Sequence, residues 1–361
     1  MEVARAWRRL NDQEMGMQVR VGIFYKNFAF WKNISHIGLG VAAMANAEYL
    51  NARGIETHVF PVRHNVDIVK AIKEYATEHK HPLTHVVISA PWLSTRDTKA
   101  IVEHFPTIQF VIVSHSNVGF LQADPSGIHL LRDYIELSHK LDNLSVGGNS
   151  ARFTHWLTQA YGEHAVLLPN MYPVHSHIIE RVFRELKQTV REVIKIGSFG
   201  AIRPLKNQLT ACAAAISISK YLKRPTEFHL SAGREEGGGN IVLGAIQQMS
   251  QDVPNFKLVL DGWCGWPDFL KTVADMDLLI HPSYTESFNM VTADAVAQGI
   301  PVVGSEAIHW LPSSWKADSD DAVALARVGL NLLVEGAHDG IKALKAHNEF
   351  GLENWKKFLE S

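Results

Sequence analysis

A chain of 361 residues is too long for one ordinary hydrophobic core and suits two domains of common size. With 46% hydrophobic and 20% charged residues it is no disordered chain, and a formal net charge of −2 excludes a global field drawing it to nucleic acid or anionic lipid. Two cysteines, Cys212 and Cys264, are too few for a disulfide scaffold or a structural zinc site, and each reads as a buried free thiol in an apolar stretch.

Residues 1–18 carry Arg5, Arg8, Arg9 and Glu14 without an apolar core, so they read as an N-terminal extension and not as a signal peptide. No uninterrupted apolar run approaches the ~20 residues that span a bilayer, and the cytoplasm is the expected compartment. Strands are predicted at Val19–Tyr25, Glu56–Phe60, His85–Ala90, Ile108–Val113, Leu144–Val146 and Ala165–Leu168. Helices are predicted between them at Gly38–Arg53, Val66–Glu78, Thr95–His104, Gly127–Lys140 and Ala151–Tyr161. Apolar strands alternating with helices imply a parallel sheet covered on both faces, which makes residues 19–173 one Rossmann-like domain.

The prolines of Leu167–Pro173 break the rhythm and mark an interdomain linker. After a polar helix at Ile178–Val190, strands at Val193–Phe199, Glu227–Ala232, Lys257–Leu260, Leu278–His281 and Pro301–Gly304 restart the alternation. Residues 174–345 thus form a second Rossmann-like domain, facing the first across a cleft at the carboxyl ends of both sheets, where ligands of such sheets bind. The remaining residues 346–361 place Phe350, Leu352, Trp355, Phe358 and Leu359 at helical spacing. They form either an ordinary packing helix or one that crosses back to the first domain. Fold alone does not choose a chemistry.

Two segments carry chemistry. In the first, a buried strand ends at His281, a helix is predicted from about Ser287, and Gly299 with Pro301 closes it. A helix start offers free N–H groups and a positive dipole end to phosphate or sugar oxygens. Glu286 sits at that start and Asp294 lies inside the helix, each able to accept ligand hydroxyls; a helix-stabilising Glu286 and a solvated Asp294 are the alternative. In the second, the strand ending at Phe199 runs into a loop with Gly200, Arg203 and Lys206, flexible backbone plus two cations as a diphosphate requires.

The first segment resembles the donor-site signature of family 4 retaining glycosyltransferases, which have the GT-B fold: an acid, seven residues, an acid, a small residue, then Gly-x-Pro-Val. Glu286, Ser287, Phe288, Asn289, Met290, Asp294, Ala295, Gly299 and Pro301 fall into that pattern. Asp294 stands where the family has Glu, and Ser287-Phe288-Asn289 where it has Gly-Phe-Gly. Lys206 matches the family's phosphate-binding lysine, whereas Arg203 lies closer to it than the family's arginine does. The resemblance spans roughly residues 165–305, including Leu168-Pro169-Asn170 and the loop after Asp261, where Trp263 and Trp266 either pack near a base or belong to the core. Compact length and the Ile196–Asn207 loop also resemble phage-borne members.

The resemblance implies a retaining transferase that takes a sugar from a nucleoside-diphosphate donor. Glu286 and His115 would work at the transferred sugar. Gly200, Arg203, Lys206 and Ser287 to Met290 would bind the diphosphate, with Asp294 on the ribose. His115, one of 19 histidines, is either this cleft histidine or a structural one. Gly38-Leu39-Gly40-Val41-Ala42-Ala43 scans as a weak dinucleotide fingerprint, but Pro61-Val62-Arg63 lacks the ribose-binding acid, so a loop near the donor or acceptor fits better. No metal and no cofactor are expected, because acids and histidines show no ligand spacing. The expected acceptor is a saccharide, lipid or small metabolite. A hydroxymethylated base in DNA is the alternative, requiring a basic rim from residues such as Lys26, Lys32, Arg63 and His64. A non-catalytic nucleotide-sugar binding module and a nicotinamide oxidoreductase are the remaining rivals.

Overall fold

The structure is a computed structural model that describes residues 18–27, 37–123, 125–162, 164–178 and 191–360. Six strands form the first sheet: β1 (Arg20–Lys26), β2 (Glu56–Val62), β3 (His85–Ser89), β4 (Gln109–Ser114), β5 (Leu144–Gly148) and β6 (Val166–Leu167), in the order β2-β1-β3-β4-β5-β6. Five form the second: β7 (Ile194–Ser198), β8 (Thr226–Ser231), β9 (Phe256–Asp261), β10 (Leu278–His281) and β11 (Val302–Gly304), in the order β11-β10-β7-β8-β9. Every pairing is parallel. Both faces of the first sheet are covered, and the two-residue period of a strand divides its apolar residues between them. Phe24, Val86, Ile88, Phe110 and Ile112 enter one cluster, and Val21, Ile23, Val87, Val111 and Val113 the other. On the edge strand β9 the Lys257–Glu227 pair, 3.0 Å apart, places charge where an unpaired edge would invite association.

Several helix limits differ from the sequence expectation. A short helix, Val118–Ala123, precedes the one predicted over Gly127–Lys140, which runs over Pro125–Ser138. The Asn117 side chain accepts from Phe120 N (2.8 Å) to open the first, and Pro125 is suited to the first position of the second. All but the last residue of the 1–18 extension and nearly all of the predicted Ile178–Val190 helix lie outside the described residues. The last helix runs over His338–Leu359, starting before residue 346, because Ile341 and Leu344 extend its apolar stripe backwards into the second core. Its other end packs Leu352, Trp355, Phe358 and Leu359 with the β1, β3 and β4 residues of the first sheet. The helix therefore bridges both sheets.

The same helix clamps the connecting segment. Trp355 Nε1 donates to Pro169 O (3.0 Å), and the Asn348 amide takes both Tyr172 N (2.9 Å) and Tyr172 O (2.7 Å). A Cβ at Gly351 would stand 2.7 Å from Met171 Cγ, so only glycine lets helix and connector approach this closely. Trp355 is 2% exposed, and truncating an indole so buried costs ~3–5 kcal/mol.

In each sheet the chain turns back at one place. It builds outward from β1 to β2 and then returns to β3; in the second sheet it builds from β7 to β9 and returns to β10. The loops after β7 and β10 leave the sheet on either side of such a switch point, where a crevice opens for ligands.

Candidate functional site

The loop after β7 turns at Gly200, whose φ of +102° suits glycine, and ends in a 3-10 turn, Pro204–Lys206. Asn207 follows at φ 54° and is buried, its amide donating to Pro282 O (3.3 Å) and Ser319 O (2.7 Å). Tyr284 N donates to Leu205 O (3.0 Å), so this loop and the one after β10 are stitched together. Lys206 Nζ consequently reaches Glu286 Oε1 at 2.6 Å, with 13% and 7% of the two side chains exposed.

The helix after β10 spans Met290–Ala297, three residues later than a start at Ser287. Asn289 sets this start. It adopts φ 67°, which Asn tolerates better than most residues, where the family pattern has glycine. Its Oδ1 caps Thr292 N (3.0 Å) while its Nδ2 donates to Glu286 Oε1 (3.1 Å). The Phe288 ring is 1% exposed and stacks against Trp310 and His347, with centroids 5.6 and 5.2 Å away. Trp310 Nε1 also donates to Phe288 O (2.7 Å). The ring anchors the loop in the core, so at the cavity wall Phe288 offers its backbone and not its side chain.

Asp294 is 3% exposed, not solvated. Its Oδ1 accepts from Tyr172 OH (2.6 Å) and Trp266 Nε1 (2.9 Å). Burial raises its pKa to about 6, and these two donors oppose the rise. Trp266 therefore orients an acid at the cavity wall as well as packing.

From the first half, His115 follows β4 and stands between Ser89 Oγ (2.9 Å from Nε2) and Asn149 Nδ2 (3.3 Å from Nδ1). With the amide donating, Nδ1 is an acceptor and the proton lies on Nε2. Burial lowers the His115 pKa to about 4, so the imidazole is neutral near pH 7. Asn149 also donates to Ser287 Oγ (3.4 Å), and Asn170 Nδ2 lies 3.8 Å from Met290 Sδ, two polar contacts joining the halves. Gly38 lines the cavity between the sheets, whereas a Cβ at Gly40 would sit 3.1 Å from the Tyr25 ring; Gly40 serves packing.

These groups surround one cavity of about 330 Å³ whose wall includes Gly38, His115, Gly200, Arg203, Lys206, Glu286 and Asp294. Sequence reasoning missed a third cation. Arg234, just after β8, lines the same cavity, and its guanidinium lies 5.1 Å from the Trp263 ring centroid. Arg234 and Arg203 share Glu236, at 2.5 and 3.4 Å. The signal was present in Gly233-Arg234-Glu235-Glu236-Gly237-Gly238-Gly239, a glycine-rich loop with charges at a strand end. Cys264, expected buried, is half-buried and lines the cavity; Cys212 is buried. Among the described residues no group of three or more His, Cys, Asp or Glu side chains could hold a metal ion, and no helix is long and apolar enough to cross a membrane.

The same overall architecture is found in solved structures. Anabaena HepE in complex with UDP-glucose superposes with a TM-score of 0.57 at 15% identity, over 93% of this chain and 99% of that one. The trehalose-6-phosphate synthase OtsA gives 0.58 at 12% identity, over 94% and 97%. The chain has the GT-B fold. Staphylococcus aureus TarM, in complex with fondaparinux, α-GlcNAc-glycerol and UDP, gives 0.55 at 16% identity; 77% of this chain spans 55% of TarM. No family profile matches the chain, and no curated protein matches it. In this GT-B chain the two motifs singled out in the sequence meet across the switch point between β7 and β10.

Proposed function

We propose that the chain is a retaining, family 4-like glycosyltransferase that moves a sugar from a nucleoside-diphosphate donor to a hydroxyl of a saccharide, lipid or small metabolite. The observation that carries this reading is the Lys206–Glu286 pair at the switch point, with Asp294, on the helix that follows, in the same cavity wall. Residues 174–345 would hold the donor and residues 19–173 the acceptor. The neighbouring structures that contain UDP or UDP-glucose support a nucleotide-linked donor.

In this reading Lys206, Arg203 and Arg234 meet the diphosphate, and their preorganised charge stabilises the leaving group as its bond to the anomeric carbon breaks. Glu286, steered by Lys206 and Asn289, accepts hydrogen bonds from sugar hydroxyls. The Asp294 carboxylate accepts from the ribose. The acceptor oxygen attacks the anomeric carbon on the face the phosphate leaves, and the acceptor's proton passes to the departing phosphate oxygen. His115, held neutral, adds no charge beside the anomeric centre.

A thermal-shift screen of nucleotide sugars followed by transfer assays tests the reading. A donor present at 100 times its dissociation constant adds about 2.7 kcal/mol to stability. Lys206→Ala should slow transfer at least about tenfold, since hydrogen bonds to charged groups contribute ~1.5–3 kcal/mol. Unchanged transfer by folded Lys206→Ala, or stabilisation by no nucleotide sugar, would overturn the reading.

A further inference from the structure

The cations of the cavity are already matched by acids of the chain itself. Lys206 faces Glu286 at 2.6 Å, and Arg203 and Arg234 both face Glu236. A diphosphate entering such a site competes with an internal carboxylate for each cation. The two carboxylates differ in how firmly they are held. Glu286 has 7% of its side chain exposed and a second tie, from Asn289. Glu236 has 34% exposed and is flanked by Gly233, Gly237 and Gly238, at φ +88°, +52° and +93°. Its loop is anchored at the backbone instead: Ile202 N donates to Arg234 O (2.9 Å) and Glu236 N to Ile202 O (2.9 Å). The carboxylate can therefore swing away while the loop stays against the Arg203 segment. Arg203 also keeps a buried Nε with no hydrogen-bond partner, a donor left over for a further anion.

We propose that Glu236 is a displaceable internal anion: it holds Arg203 and Arg234 in place, yields them to the donor's diphosphate, and returns to speed release of the nucleoside diphosphate product. The proposal rests on the donor-site reading above and adds to it a residue that sets diphosphate affinity. It is a positioning residue, since it acts through the two arginines. A partly exposed ion pair is weakened by solvent screening, whereas a charge-assisted bond between guanidinium and phosphate is strong, so exchange favours the ligand.

The test measures binding of UDP, GDP, ADP and inorganic pyrophosphate by titration calorimetry to wild type, Glu236→Gln and Glu235→Gln. Glu235 is the exposed neighbour, and its substitution removes the same charge without touching the arginines. Glu236→Gln should bind the preferred nucleoside diphosphate and pyrophosphate at least about fivefold tighter. It should also release the nucleotide more slowly in stopped-flow displacement, while Glu235→Gln changes binding less than about twofold. Binding by wild type that Glu236→Gln leaves unchanged or weakens, with an unaltered melting profile, overturns the displaceable anion alone. An equal gain in both variants overturns it too, as general electrostatics. Failure of all three proteins to bind any of the nucleotides overturns the donor-site reading and this proposal with it.

Discussion

Replacing Asp294 by Asn isolates what it means to bury a carboxylate in the cavity wall. Burial raises its pKa from 3.8 to about 6, so the folded chain holds this proton more tightly than the unfolded chain does. The contribution is therefore most favourable below about pH 4, is lost as pH rises from about 4 to about 6, and stays level above that. The displacement corresponds to about 3 kcal/mol against the charged form. Asparagine keeps an oxygen for Tyr172 and Trp266 and carries no charge. Asp294→Asn should thus match wild type near pH 4 and exceed it by about 3 kcal/mol near pH 8, read from urea denaturation at the two pH values. Donor affinity should move the other way, because with the asparagine oxygen held by Tyr172 and Trp266 the position left for the ribose is an NH2 group, which cannot accept. Stability curves of the two proteins that run parallel across this window would refute the buried-charge argument.

Asn289→Gly keeps a backbone at φ 67° without strain, whereas Asn289→Ala must hold it with a Cβ, so Ala should be the less stable by about 1–2 kcal/mol in thermal melts. Both release Glu286, and transfer should fall about tenfold in each; loss that tracks stability instead would remove the Glu286-holding role. His115, with its pKa lowered to about 4, should contribute no limb to the pH–rate profile near 6.5, and wild type and His115→Asn should give parallel profiles from about pH 5 to 8. A limb lost in the variant would show that this histidine titrates during turnover.

The strands were legible because they are short and apolar, and a parallel sheet buries nearly every residue, as in β3 and β10, where none is exposed. That Gly200, Lys206, Glu286 and Asp294 line one cavity was legible because they follow the ends of strands at local spacing. Less legible was whatever depends on distant partners. The Phe288 ring is taken into the core by Trp310 and His347, which stand 22 and 59 residues further along the chain. Asp294 owes its burial to Tyr172, separated from it by 122 positions. The helix starts three residues later than expected because Asn289 caps it from a left-handed conformation. Arg234 went unnoticed because its loop is glycine-rich in no familiar order, and its value lies in sharing Glu236 with Arg203, a pairing invisible in one dimension.

Tyr172 ties these observations together. Its backbone N and O are both held by Asn348 of the bridging helix, and its hydroxyl is the shorter of the two donors to Asp294. Burial and the neighbouring carboxylate raise the Tyr172 pKa well above the ordinary phenol range, so the hydroxyl keeps its proton and always donates. The connector, the bridging helix and the acid proposed to hold the ribose are thus one hydrogen-bonded unit. A ligand that takes up Asp294 oxygens must either share Oδ1 with Tyr172 or use Oδ2. The second route leaves the connector undisturbed, and it matches the geometry in which both protein donors converge on Oδ1. The shorter acid then has a physical reason to stand here: the Tyr172 and Trp266 donors fix one oxygen in the wall, and a side chain one methylene longer would carry that oxygen away from them.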